Sequence, residues 1–131
     1  LAESNPNIHF IFQEYIGTSH GADLRVFIAD GRVLACMKRV AAEGSFKSNI
    51  SRGGTGTPYP ITSEIEKLAL RTAATLELDV AGIDLLFDKD GRFRICEANS
   101  SPGFAGLEKA CTVNAAEAII KAVGKKRHRT K

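Results

Sequence analysis

Two short Asp-Gly turns constrain this chain more than any other feature. Asp30-Gly31 separates Asp23-Leu24-Arg25-Val26-Phe27-Ile28-Ala29 from Arg32-Val33-Leu34-Ala35-Cys36-Met37-Lys38-Arg39-Val40. Asp88-Lys89-Asp90-Gly91 separates Val80-Ala81-Gly82-Ile83-Asp84-Leu85-Leu86 from a second apolar run that ends in Glu97-Ala98-Asn99. Turns of this kind between β-rich runs signal hairpins, and a hairpin lays its two arms side by side. In the first hairpin Leu24, Val26 and Ile28 alternate with Asp23, Arg25 and Phe27, so Asp23 and Arg25 share a face. In the second, Asp84 can face Glu97, and Asn99 points the same way as Glu97 because it lies two residues on. Two carboxylates and an amide oxygen among apolar residues repel unless a cation joins them. Hard oxygen donors of this kind suit Mg²⁺, which completes its shell with water and phosphate oxygens. Solvated carboxylates on a short acidic strand would account for the same residues.

The rest of the chain supplies an order. Residues 8–16 read as a strand rich in β-branched and aromatic side chains, followed by a loop with Gly17 and Gly21. Residues 41–60 lack periodicity and hold Gly44, Gly53, Gly54 and Gly56 together with Lys47, Ser48, Asn49 and Arg52. Cations, small donors and close backbone approach suit a polyphosphate, although a plain surface loop has the same composition. Residues 63–77 predict a helix, with Ser63 and Glu66 as a capping box and Ile65, Leu68, Ala69, Thr72, Ala73 and Leu76 on one face. After the second hairpin come the loop Ser100-Ser101-Pro102-Gly103 and a short helical turn near Leu107. A last helix runs from an Asn114 cap to about Val123, with Gly124 as its stop. This order predicts an α+β fold: a largely antiparallel sheet with helices packed on one face.

Composition narrows the function classes. A chain of 131 residues fits one domain with its own core. It carries 18 basic and 15 acidic side chains. Five of the basic ones crowd into Lys125-Lys126-Arg127-His128-Arg129-Thr130-Lys131, so the rest of the chain is slightly acidic and gives no strong nucleic-acid signal. This basic run is expected to be a disordered tail, 125–131, beyond a folded unit at 1–124. No apolar run nears the ~20 residues that a membrane helix needs. The first residues resemble no signal peptide and include no initiator Met, which is expected of a piece of a longer protein. Cys36, Cys96 and Cys111 cannot all pair within one chain and lack metal-ligand spacing, so a reducing, cytoplasmic setting is the simplest expectation.

Several segments carry a family resemblance. They are Gln13-Glu14-Tyr15-Ile16, Asp23-Leu24-Arg25, Phe46-Lys47-Ser48-Asn49 with Arg52-Gly53-Gly54, then Asp84, and Glu97-Ala98-Asn99-Ser100-Ser101-Pro102-Gly103. Together and in this order they resemble the ATP-grasp superfamily, in particular its RimK-like glutamate ligases, over residues 10 to 123. The resemblance implies the C-terminal lobe of an ATP-grasp fold. It also implies roles. Glu14 and Tyr15 would border adenine, Asp23 would approach the ribose, and Lys47, Ser48 and Asn49 would lie over the phosphates. Asp84, Glu97 and Asn99 would hold Mg²⁺ or Mn²⁺. Arg25, Arg39 and Arg52 would be the catalytic cations that contact phosphate or substrate. For Tyr15 plain core packing, and for Arg39 a surface ion pair, explain the residue as well.

The implied chemistry is ATP-dependent joining of a carboxylate to an amine through an acyl phosphate, with glutamate as the amino acid and an acceptor carboxylate on a peptide, protein or small molecule. Three features depart from the family pattern: Lys47 stands where Arg is usual, the N-terminal domain and first half of the nucleotide lobe have no counterpart in these residues, and the basic run is unexplained. Lys keeps the charge at position 47 but loses the bidentate fork. A glutathione-synthetase-like ligase and a non-catalytic nucleotide-binding or interaction module are the alternatives. A homo-oligomer is compatible with all three.

Overall fold

The computed structural model describes residues 12–42 and 54–129, with side chains as far as Lys125. Lys47, Ser48, Asn49 and Arg52 lie outside the described residues, as does the start of the expected strand at 8–16. Residues 12–16 have no regular structure and lead into a 3₁₀ turn, Gly17–Ser19.

Five strands form one antiparallel sheet in the order β3-β2-β1-β4-β5. They are β1 (Ala22–Ala29), β2 (Arg32–Val40), β3 (Thr55–Pro58), β4 (Val80–Phe87) and β5 (Phe93–Asn99). Both expected hairpins form. Asp30 and Gly31 each take a positive φ, 54° and 70°, as a two-residue turn matched to strand twist requires. The second hairpin turns through Lys89–Gly91, with Asp90 and Gly91 in the left-handed region. Strand β1 is central, and Leu24, Val26, Phe27 and Ile28 are fully buried in it.

Helix α1 (Ser63–Thr75) lies on the face of Leu24, Val26, Ile28, Ile83 and Leu85, against which it packs Ile65, Ala69 and Ala73. Its N-cap is Thr62, whose hydroxyl accepts from the Ile65 amide at 3.3 Å, one residue ahead of the expected Ser63 cap. Helices α2 (Ala105–Cys111) and α3 (Ala115–Arg129) contribute Leu107 and Ala115 to a second cluster with Phe27, Ala29, Ala35 and Met37. The α+β class and the antiparallel sheet are as expected, but the helices divide between the two faces. The reason lies in β1: Phe27 and Ala29 alternate with Val26 and Ile28, so both faces need apolar cover.

Asn114 caps α3 as expected, its Oδ1 accepting from the Glu117 amide at 2.9 Å. The helix then passes Gly124 and continues to Arg129 rather than stopping. A Glu117–Lys121 pair one turn apart and a Lys125–Asp30 bond to the β1–β2 turn support that last stretch, and basic residues at a helix C-terminus complement its dipole. Most of the basic run is therefore helix.

Candidate functional site

The strand register aligns four charged side chains across the middle of the sheet. Asp23 of β1 lies opposite Arg39 of β2, and Arg25 of β1 lies opposite Asp84 of β4. All four project from the face shared with Phe27, beside the α2–α3 cluster rather than under α1. Arg39 donates from Nε and Nη2 to both Asp23 oxygens, at 2.7 and 2.6 Å, and from Nη2 to Asp84 Oδ2 at 2.8 Å. Arg25 clasps the same Asp84 from Nε to Oδ1 and from Nη2 to Oδ2, the latter at 2.8 Å. Fork-to-fork pairing of this kind fixes geometry as well as charge.

The network is dry. Arg39 and Asp84 are each 6% exposed. Burial works against the Arg39 charge, but hydrogen bonds and attraction from Asp23 and Asp84 outweigh it and hold its guanidinium above the ordinary range. Two carboxylates balance two guanidiniums, so the cluster is neutral as it stands.

Glu97 lies directly across β4 from Asp84, and Asn99 across from Gly82. A β-bulge makes this alignment. Near the turn Phe87 pairs with Phe93 and Leu85 with Ile95, a register that would set Cys96 opposite Asp84. The register shifts at that step, Cys96 is left over, and Glu97 takes the place across from Asp84. Glu97 is exposed, and no described side chain bonds to its carboxylate. Asn99 Oδ1 accepts from the Ser101 amide at 2.8 Å and so shapes the following loop.

These donors fit a divalent cation in kind. A carboxylate offers about four lone-pair positions, and the bonds to Arg25 and Arg39 use three on Asp84, leaving one on Oδ1. Asn99 Oδ1 keeps a second lone pair, and Glu97 keeps all of its own. Among the described residues no three His, Cys, Asp or Glu side chains gather as a metal cage. A cation here would accordingly keep open positions for water or phosphate, as Mg²⁺ does.

Gly82 is a site residue that the sequence reading passed over. A Cβ there would stand 2.8 Å from Pro102 Cβ and 3.0 Å from Arg25 Cδ. Its bare backbone lets the loop 100–103 fold onto β4 and lets the Arg25 stem cross the strand. A glycine inside a strand is the signal for such close approach.

Two other expected nucleotide contacts, Glu14 and Tyr15, lie apart from the network. Glu14 pairs with Arg94 at 2.9 Å, and Arg94 also donates to Asp88 at 2.7 Å, a bond that holds the Asp88 carboxyl below its usual range. Tyr15 is 67% exposed and bonds through its hydroxyl to His20 Nδ1, so core packing does not describe it. Asp23 has both oxygens committed to Arg39. Arg39 is buried between two carboxylates, which rules out the surface ion pair.

Comparison with known proteins agrees with this architecture. The family model for a RimK-like ATP-grasp domain matches residues 2–123. The chain is 46% identical over 112 residues to a probable alpha-L-glutamate ligase of Xanthomonas euvesicatoria pv. vesicatoria (strain 85-10), covering 86% of this chain and 38% of that protein. It is 44% identical over 117 residues to probable alpha-L-glutamate ligase 1 of Shewanella frigidimarina (strain NCIMB 400), covering 89% and 38%. It thus spans well under half the length of these curated relatives. In fold it is similar to the ATP-grasp ligase PsnB complexed with a phosphomimetic variant of its minimal precursor, Mg and ADP (TM-score 0.66, 24% identity, 86% of this chain and 34% of that one). It is also similar to D-alanine–D-alanine ligase of Bacillus anthracis complexed with ATP (TM-score 0.64, 21% identity, 85% and 40%). With nearly all of its length matched by that family model and with the same antiparallel core, the chain belongs to the RimK-like ATP-grasp family.

Proposed function

We propose that this chain is the cation- and phosphate-binding lobe of an ATP-dependent carboxylate–amine ligase that takes glutamate as its amino acid. The observation that carries the reading is the row Arg25, Asp84 and Glu97 across β1, β4 and β5, with Arg39 of β2 reaching the same Asp84. The names of the relatives, probable alpha-L-glutamate ligases, support the choice of glutamate.

A carboxylate is a poor electrophile. Transfer of the ATP γ-phosphoryl group to its oxygen gives an acyl phosphate and ADP; the amine then attacks the acyl carbon, the C–O bond to phosphate breaks, and an amide forms with loss of a proton. Asp84, Glu97 and Asn99 would hold Mg²⁺, which when bound neutralises charge between the β- and γ-phosphates. Arg25 and Arg39 face the same region as guanidiniums preorganised by Asp84 and Asp23. Lys47, Ser48 and Asn49, joined by Arg52, are proposed to lie over the phosphates, and Glu14 and Tyr15 to border the adenine. No covalent enzyme nucleophile is required, and all three cysteines are free, in keeping with a reducing, cytoplasmic setting. Among the described residues no helix is long and apolar enough to cross a membrane.

The test is Glu97→Gln in the full-length enzyme that carries this lobe, followed as ATP- and glutamate-dependent phosphate release over a Mg²⁺ titration. We expect kcat/KM to fall by about 100-fold or more. Unaltered turnover with unaltered Mg²⁺ dependence would overturn the reading. A second reading, a nucleotide-binding module without catalysis, draws on the 38% span of the relatives. Calorimetry of the 131-residue chain with MgATP separates the two: tight binding without turnover favours the module, and weak binding favours a lobe that needs its partner lobe.

A further inference from the structure

Arg25 and Arg39 share Asp84 but are held differently. Arg39 has two carboxylate partners, both oxygens of Asp23 and one of Asp84. Arg25 has a single carboxylate partner among the described residues, Asp84. If Asp84 were drawn elsewhere, Arg39 would keep a bidentate clasp and Arg25 would keep none. A nearly buried guanidinium without a carboxylate is unstable where it stands, so it turns to another anion or to water. Asp84 also lies between its guanidiniums on one side and Glu97 on the other. The open position on Asp84 is on Oδ1, the oxygen that accepts from Arg25 Nε and not from Arg39, so a divalent cation shared by Asp84 and Glu97 repels the Arg25 charge and weakens its hold on that oxygen first.

We propose that the network is an exchange device: a divalent cation at Asp84 and Glu97 frees Arg25 for an incoming phosphate, while Asp23 keeps Arg39 fixed. Asp23 is then a positioning residue for Arg39 and not a ribose contact. The proposal rests on the cation reading above and adds an order to it. Arg25 is the guanidinium that moves, and Arg39 is the one that stays. Because the cation releases the group that takes the phosphate, each ligand tightens the other, and by linkage the effect is the same in both directions.

The experiment is NMR of the uniformly ¹⁵N-labelled full chain, read at the arginine side chains and titrated with Mg²⁺ alone and then with inorganic phosphate. On adding Mg²⁺ the Arg25 Nε–H signal should shift or broaden while the Arg39 signal stays in place. Inorganic phosphate should bind at least about fivefold tighter with Mg²⁺ present, the lower end of ordinary coupling. In Asp23→Asn both signals should respond to Mg²⁺, and Asp23→Glu should restore the Arg39 signal. The wild-type titration stands by itself if either variant fails to fold. Mn²⁺, which broadens nearby amide signals, reports separately on occupancy at Glu97 and Asn99. Broadening there with an unmoved Arg25 signal, or with Arg39 moving in its place, overturns the exchange and leaves the cation site standing. No broadening there overturns the cation reading and the exchange together.

Discussion

Asp84 is the residue on which the cluster turns, because among the described residues it is the only carboxylate that touches both arginines. Replacing it with Asn strips Arg25 of its partner and leaves two guanidiniums facing one carboxylate. Such a change at a buried pair costs about 3–5 kcal/mol, so urea unfolding of Asp84→Asn should show a marked drop in midpoint. A second residue-level expectation concerns Cys36. Burial, with a smaller contribution from Cys111, pushes its thiol from 9.0 up to about 12. The folded state then holds this proton more tightly than the unfolded chain does. The resulting stability is fully present below about pH 9 and is lost as pH rises through 9 towards 12. Urea unfolding between pH 8.5 and 11 should therefore show a steeper decline for the wild type than for Cys36→Ala. At this scale the sequence identified Asp23, Arg25, Asp84, Glu97 and Asn99 as chemically active and set Asp84 against Glu97, but could not assign the arginines to their carboxylates. Whether Asp23 meets a ribose or an arginine depends on which residue of β2 lies opposite, and no local pattern carries that information.

Elements show where local rules sufficed. Asp30-Gly31 turns where its composition says it must, since both residues need positive φ and Asp-Gly tolerates it. The α1 cap is a sharper test, because Thr62 and Ser63 are both competent capping residues. The Ile65 amide bonds to Thr62, so Thr62→Ala should lower stability by about 0.5–2 kcal/mol while Ser63→Ala changes little, as read by thermal unfolding. Gly82→Ala forces either Pro102 or the Arg25 stem to give way, at a cost of about 1–3 kcal/mol. Its structure should show the loop 100–103 displaced from β4. The bulge at Cys96 escaped the sequence reading for a physical reason: strand alternation reports which residues share a face, and a bulge changes that count by one without an obligatory residue type. The extension of α3 past Gly124 escaped it because Asp30, the partner of Lys125, belongs to a turn 95 residues away.

Across the whole molecule, stability should follow the strand order. Strand β1 is paired on both sides and covered on both faces, whereas β3 and β5 lie at the edges. Amide exchange of Val26 should require near-global unfolding, and that of Thr57 in β3 only local opening; equal protection would contradict this order. Phe27→Ala, which removes a fully buried ring edge-on to Phe104, should cost about 3–5 kcal/mol in the same unfolding measurements. The sequence by itself determined the two hairpins, the helix registers and the residue types from which the cluster is made, because turn chemistry and hydrophobic periodicity act over a few neighbouring residues. Only the tertiary structure decided that β1 lies between β2 and β4, that helices cover both faces, and that Asp84 is shared by two arginines. Those outcomes depend on pairing residues as far apart as Leu24 and Leu85 and on a one-residue shift in register, and long-range pairing is settled by burial of the whole sheet rather than by any segment of it.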